Sequence, residues 1–129
     1  PSSWRGYLDR ARVAQNVSAV TGECMMIRRS AYEEVGGFSE ELALFYGDVD
    51  FCLKVRHAGY LTVYTPFVEL GHLKSTTRLR IHSKELRIKR RREIAYLQSA
   101  WPEVFIEGDA FGNPNLDPDS SYFALKHQE

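Results

Sequence analysis

The chain has 129 residues, 43% hydrophobic, 26% charged and 12% aromatic, with 17 Lys and Arg against 17 Asp and Glu. That length fits one domain burying about two thirds of its unfolded surface, and the composition excludes a disordered chain. No apolar run approaches the roughly 20 residues of a membrane-spanning helix, and Pro1-Ser2-Ser3-Trp4 does not read as a signal peptide.

The sequence starts without Met and is expected to be part of a longer product. Residues 1–129 read as one α/β domain in four stretches. These are a lead-in loop over 1–16, a sheet region over 17–73, a long basic helix over 74–101, and an acidic tail over 102–129. In the sheet region, Val17–Thr21 alternates and is β-branched, which predicts a strand ending at Gly22; Cys24–Ile27 predicts a second, buried one. Ser30-Ala31-Tyr32-Glu33 has the spacing of a capping box, opening a short helix that ends at Gly36-Gly37. A further helix is predicted over Asp48–Ala58, with Val49, Cys52, Leu53 and Val55 inward and Gly59 closing it. Tyr60–Tyr64 and Phe67–Leu70 predict two more strands separated by a Thr65-Pro66 turn, the second delivering His72. From Ser75 to about Ala100 the pattern is one long helix. Its apolar stripe runs through Leu79, Ile81, Leu86, Ile88, Ile94, Leu97 and Trp101. After Gly108, Asn113-Pro114-Asn115 and Asp117-Pro118 predict turns across the surface.

The charges are sorted along the chain. Lys74–Arg92 carries nine Lys or Arg against one acid, and Trp101–Glu129 carries six acids against one base. Helix and tail either neutralise each other or leave a cationic surface for a phosphate-bearing ligand, an acidic membrane or nucleic acid. Against nucleic acid, no aromatic side chain interrupts the cations to offer a stacking platform. Cys24 and Cys52 have no metal-ligand spacing and are expected as buried thiols, as suits a reducing cytoplasm, with a disulfide between them as the alternative.

Two residue types carry candidate chemistry. Asp48 is either a helix cap, accepting bonds from the amides of Asp50 or Phe51, or a general base on a hydroxyl. Asp48-Val49-Asp50 has the form of a DxD metal motif, yet residues two apart on a helix point about 200° away from each other. Asp50 therefore reads first as stabilising the opening turn or orienting a neighbour. His72 is a strand-end histidine, either structural or in reach of a metal or diphosphate, with Lys74, Ser75, Thr77 and Arg78 adding cations and hydroxyls behind it.

Taken together these stretches resemble the carboxyl-terminal half of a family-2 glycosyltransferase with a GT-A fold. The matching segments are Asn16–Gly22, Met25–Arg29, Tyr32–Phe38, Asp48–Lys54, Ala58–Tyr60, Val63–Pro66 and His72. Asp109–Leu116 resembles a closing motif of some bacterial members. The resemblance implies a partial GT-A fold, a small mixed sheet flanked by helices with a long C-terminal helix. It also implies inverting transfer of a sugar from a nucleotide-sugar donor to a glycan or lipid-linked acceptor in polysaccharide or cell-envelope synthesis. By that resemblance Asp48 is the catalytic base, Thr21, Gly22, Glu23 and Asp50 border the donor and acceptor pocket, and His72 with Arg78 meets a metal or the diphosphate. A divalent cation, Mn or Mg, is implied for the full enzyme, in the cytoplasm or at the inner face of the membrane, with none expected on these 129 residues.

The chain departs from the pattern at Gly47, where an acid or Asn is common, and at Leu73-Lys74, where His-Glu is common. The family's nucleotide-binding half is expected outside this sequence. These residues alone are therefore expected to be inactive and to self-associate through an uncovered sheet edge. The alternatives are a non-catalytic binding module, and anionic-ligand binding through the basic helix at 84–92.

Overall fold

The computed structural model describes residues 5–71 and 83–117. The chain is α/β, with a small sheet, flanking helices and a long C-terminal helix. Among the described residues the sheet is a two-stranded antiparallel ribbon of β1 (Gln15–Val17) and β2 (Thr62–Tyr64). Gln15 faces Tyr64, Asn16 faces Val63, and Val17 faces Thr62. The helices are α1 (Arg29–Glu34), α2 (Gly47–His57), α3 (Lys84–Ala100) and α4 (Pro102–Glu107).

The ribbon departs from its sequence pattern at both strands: β1 takes Gln15 and Asn16 from the expected lead-in loop and ends at Val17, leaving 18–21 out of the ladder, and β2 starts two residues late for a reason visible at the end of α2. Gly59 takes a φ of 88°, the Gly59 amide donates to the Arg56 carbonyl at 2.9 Å, and the Tyr60 amide donates to the Val55 carbonyl at 2.9 Å. This is a Schellman closure, and it uses the amide that would extend the ladder to Tyr60. α1 ends in the same way, with the Gly36 amide on Glu33 and the Gly37 amide on Tyr32.

Other expectations are corrected. Gly22–Cys24 is a 3₁₀ turn, Met25–Arg28 is irregular, and Cys24 is exposed, so the second strand and its buried thiol are absent. Both cysteines are free thiols. Phe67–Leu70 forms no strand. Short apolar runs of four residues do not by themselves distinguish strand from loop. The capping box does not form: Arg28 is the N-cap of α1, and Glu33 pairs with Arg29 at 2.8 Å. The lead-in contains a 3₁₀ segment at Tyr7–Arg12, joined to the ribbon by the Tyr64 hydroxyl donating to the Ala11 carbonyl at 2.9 Å.

The core is Ala31, Leu42, Phe51, Cys52, Leu53, Val55, Leu97 and Leu116. α2 runs through its centre, buried at Asp50, Phe51, Cys52, Leu53 and Val55. That is broader than one stripe, because the helix is covered on several sides. Phe51 stacks with Tyr32 and Phe38 at ring separations of 5.6 and 4.8 Å. β2 and α3's neighbour, the Glu40–Leu42 3₁₀ turn, cover other faces.

α3 begins at Ser83, whose hydroxyl accepts from the Leu86 amide at 3.2 Å, and ends at Ala100 as its pattern predicts. The expected helical turns over 75–82, with Leu79 and Ile81 of the stripe, lie outside the described residues. Ile88 is exposed and Glu93 is buried, so the inward face runs Leu86, Glu93, Leu97 and Trp101. The tail adds α4, opened by Pro102, and then straps back. Asp109 accepts from the Ser18 hydroxyl, and Asn113 closes a turn on the Asn115 amide at 3.0 Å. Asp117 is described, whereas its Pro118 and the rest of the tail lie outside the described residues. No helix among the described residues is long and apolar enough to cross a membrane.

Candidate functional site

A cleft of about 270 Å³ opens at the start of α2. Its walls come from Gly22, from Phe38 and Ser39 after α1, from Leu42–Phe45, and from Gly47 and Asp48. One wall is largely apolar and the other presents a carboxylate, an arrangement suited to seating a ligand that offers a hydroxyl.

Asp48 does not sit at the N-cap; Tyr46 does, and its carbonyl accepts the Asp50 amide at 3.0 Å. Asp48 is the second residue of the helix. Its Oδ2 accepts from the Gly22 amide at 2.9 Å and its Oδ1 from the Val49 amide at 2.9 Å. The bonds expected from the Asp50 or Phe51 amides are thus replaced by one from a neighbouring turn 26 residues away. A carboxylate oxygen has two lone pairs, so each oxygen retains one for a ligand.

The structure brings Gly22 onto Asp48 and leaves the rest of that turn outside. Thr21 and Glu23 are exposed, with the Thr21 hydroxyl accepting from the Glu23 amide at 3.4 Å, and neither lines the cleft. Asp50 turns inward. Only 1% exposed, it accepts from the Ser39 hydroxyl at 2.6 Å and the Lys54 ammonium at 2.9 Å on Oδ2, and from the Trp101 indole at 2.9 Å on Oδ1. Burial alone would push its carboxyl upward; the hydrogen bonds from Ser39, Trp101 and Lys54, with the Lys54 charge, outweigh this and hold it below the ordinary range. Asp50 reaches the cleft through Ser39, which lines it. His72, Lys74, Ser75, Thr77 and Arg78 lie outside the described residues.

Among the described residues the donor set does not fit a divalent cation. Three or more His, Cys, Asp or Glu side chains do not gather at any point, and the Asp50 carboxylate is occupied by three donors. Cys52 stands apart in the core, where burial pushes its thiol up and its sulfur lies 4.0 Å from the Val20 carbonyl.

One residue at the site escapes sequence reasoning. Glu93, in the middle of α3, is buried, and its carboxylate accepts from three consecutive amides, those of Leu44 and Phe45 in the cleft wall and of Tyr46, the N-cap of α2. Its signal was the helical spacing 86, 93, 97, 101, which sets an acid among apolar residues on the inward face.

Comparison with known proteins finds a glycosyltransferase-like region in part of the chain. The chain is 40% identical over 126 residues, 97% of its length, to the uncharacterized protein y4gI of Sinorhizobium fredii. It is 41% identical over 59 residues, 46% of its length, to the N-acetylglucosaminyl-diphospho-decaprenol L-rhamnosyltransferase of Mycobacterium tuberculosis. It is 33% identical over 64 residues, half its length, to the O-antigen biosynthesis protein RfbC of Myxococcus xanthus. The chain spans 14%, 19% and 5% of the lengths of these relatives. No family model matches the sequence, and no solved structure matches it.

Proposed function

We propose that this chain is the base-bearing, acceptor-side part of a glycosyltransferase of the inverting family-2, GT-A type. The observation that carries the reading is the Asp48 carboxylate, fixed in the cleft wall by the Gly22 and Val49 amides with lone pairs to spare. The names of the rhamnosyltransferase and O-antigen relatives support sugar transfer as the chemistry.

In this mechanism an acceptor hydroxyl enters the cleft and hydrogen-bonds to Asp48. As the hydroxyl oxygen attacks the anomeric carbon, its proton passes to Asp48. The new carbon–oxygen bond forms on the face opposite the leaving nucleoside diphosphate, which departs with the electron pair of the bond it loses, and the anomeric centre inverts. The two backbone amides keep the carboxylate aimed before the substrate arrives, so little reorganisation is needed during the step. Asp50 holds the first turn of α2 in place and does not meet the substrate. His72 and Arg78 keep the role the resemblance gives them, meeting a metal or the leaving diphosphate.

The test is sugar transfer from a panel of nucleotide-sugars to lipid-linked and glycan acceptors by the native gene product containing these residues. Asp48→Asn is expected to cut the rate by about 10²–10⁴-fold, the usual contribution of a positioned base, while donor binding persists. A near-normal rate would overturn the assignment.

A further inference from the structure

Glu93 is separated from the cleft wall by 47 to 49 residues, yet the fold brings its carboxylate against three amides in a row. Oε1 accepts from Leu44 at 3.2 Å, and Oε2 accepts from Phe45 at 2.9 Å and Tyr46 at 3.2 Å. Successive amides converging on one anion form a nest, and a buried carboxylate is tolerated where such donors replace water. A second bond from the same helix reinforces the contact: the Arg90 Nε donates to the Tyr46 hydroxyl at 2.9 Å.

The three residues held in this way occupy a decisive place. Leu44 and Phe45 are cleft wall, and Tyr46 is the N-cap from which α2 starts, two residues before Asp48. The segment has little slack of its own, because a Cβ on Gly47 would stand 2.7 Å from the Leu42 carbonyl oxygen. Fixing 44–46 therefore fixes both the wall and the point from which the Asp48 side chain projects.

We propose that Glu93 is a positioning residue for Asp48, acting through the Leu44–Tyr46 amides. It never touches substrate; it sets where the base stands. The role rests on the reading of Asp48 as the base, but the placement it predicts is measurable without any transfer assay.

The experiment is amide NMR on the isotopically labelled chain, wild type against Glu93→Gln and Glu93→Asp, with Asp48→Asn as reference. A glutamine retains one acceptor oxygen and turns an NH₂ group toward the remaining amides. In Glu93→Gln, hydrogen exchange at Leu44, Phe45 and Tyr46 is expected to speed by about tenfold or more, as losing a hydrogen bond to a charged group implies, while Phe51–Val55 keep their protection. The Gly22 amide reports where Asp48 stands, through their 2.9 Å bond. Its resonance is expected to move toward the position it takes in Asp48→Asn. Glu93→Asp, which keeps the charge on a shorter arm, is expected to fall between wild type and Glu93→Gln.

Faster exchange at 44–46 with an unmoved Gly22 resonance would overturn the proposal, leaving Glu93 a loop anchor only. Loss of protection throughout α2 would also overturn it, since that marks general destabilisation. If neither variant folds, the wild type carries the test: native-state exchange at Leu44, Phe45 and Tyr46 must be slowed to a degree comparable with Phe51–Val55, and fast exchange at those three amides would sink the idea. Failure of the base assignment is separately visible, as retained transfer in Asp48→Asn.

Discussion

Asp50→Asn should be among the more damaging isosteric changes in this protein. The side chain is 1% exposed and its two oxygens take three side-chain donors, from Ser39, Lys54 and Trp101. Asparagine fills the same space, so no cavity forms and the cost is electrostatic. Its single carbonyl oxygen can face Trp101 or the Ser39–Lys54 pair, and its NH₂ group opposes the other. The Lys54 ammonium keeps bonds to the Ser39 hydroxyl at 2.5 Å and the Gly37 carbonyl at 3.3 Å, but loses its counter-charge. Removing one partner of a buried ion pair costs about 3–5 kcal/mol. The Lys54 side chain is 25% exposed, so water offsets part of the loss and the low end, about 3 kcal/mol, is expected. Against a typical domain stability of about 5–15 kcal/mol, that is a large fraction.

The assay is urea unfolding followed by far-ultraviolet circular dichroism. With a slope of about 1.5 kcal/mol per molar, the midpoint should fall by about 2 M. Acid supplies a second reading. Because the folded Asp50 carboxyl lies below its ordinary value, its contribution is fully present above the ordinary carboxylate pKa. It is lost as pH falls through the folded value, so the wild type should weaken into acid and Asp50→Asn should lack that part of the decline. Trp101→Phe removes one donor of the three and should cost less, about 1.5–2 kcal/mol. A midpoint shift under about 0.5 M for Asp50→Asn would show that the network is not a net source of stability and refute the reasoning.

Gly47→Ala should destabilise by about 1–3 kcal/mol, because the new methyl meets a backbone oxygen at 2.7 Å with no flexible side chain to yield; an unchanged thermal midpoint would show that the 42–47 segment is slack. Thiol labelling in native buffer should modify Cys24 promptly and spare Cys52, whose thiol is buried and shifted upward; peptide mapping that found Cys52 labelled at a similar rate would show α2 opening from the sheet.

The parts of the fold that were legible in the sequence are those that a local backbone requirement dictates. Gly36-Gly37 and Gly59 stand where α1 and α2 need positive φ, and Asn113 stands where a side chain closes its own turn. The failures share the opposite character. Cys24–Ile27 and Phe67–Leu70 are apolar enough for strands, but a strand exists only where a partner has free amides and carbonyls. Ser30 and Glu33 have capping-box spacing, but Arg29 offers Glu33 an ion pair one turn along α1. At the site, Asp48 stood out as an acid opening a helix. Its bond to Gly22 and the Asp50–Trp101 bond span 26 and 51 residues, distances over which periodicity carries no signal.

These long-range bonds explain why α3 is needed near a cleft it does not line. Asp48 stands between two anchors, the Leu44–Tyr46 segment before it and Asp50 after it. Glu93 holds the first and Trp101 the second, eight residues apart on one face of α3 and its exit. The two bonds thus meet the opening turn of α2 from both sides, one from within α3 and one from the residue that ends it. A carboxylate on that turn is aimed by these bonds from α3 and its exit as well as by the two amides it touches. The cations Arg87, Lys89, Arg91 and Arg92 lie on the exposed side of α3, outside this arrangement. The helix therefore divides its residues between orienting the site and facing the surroundings, and apart from Arg90, which bonds Tyr46, the net basic character that dominates its sequence describes the second task.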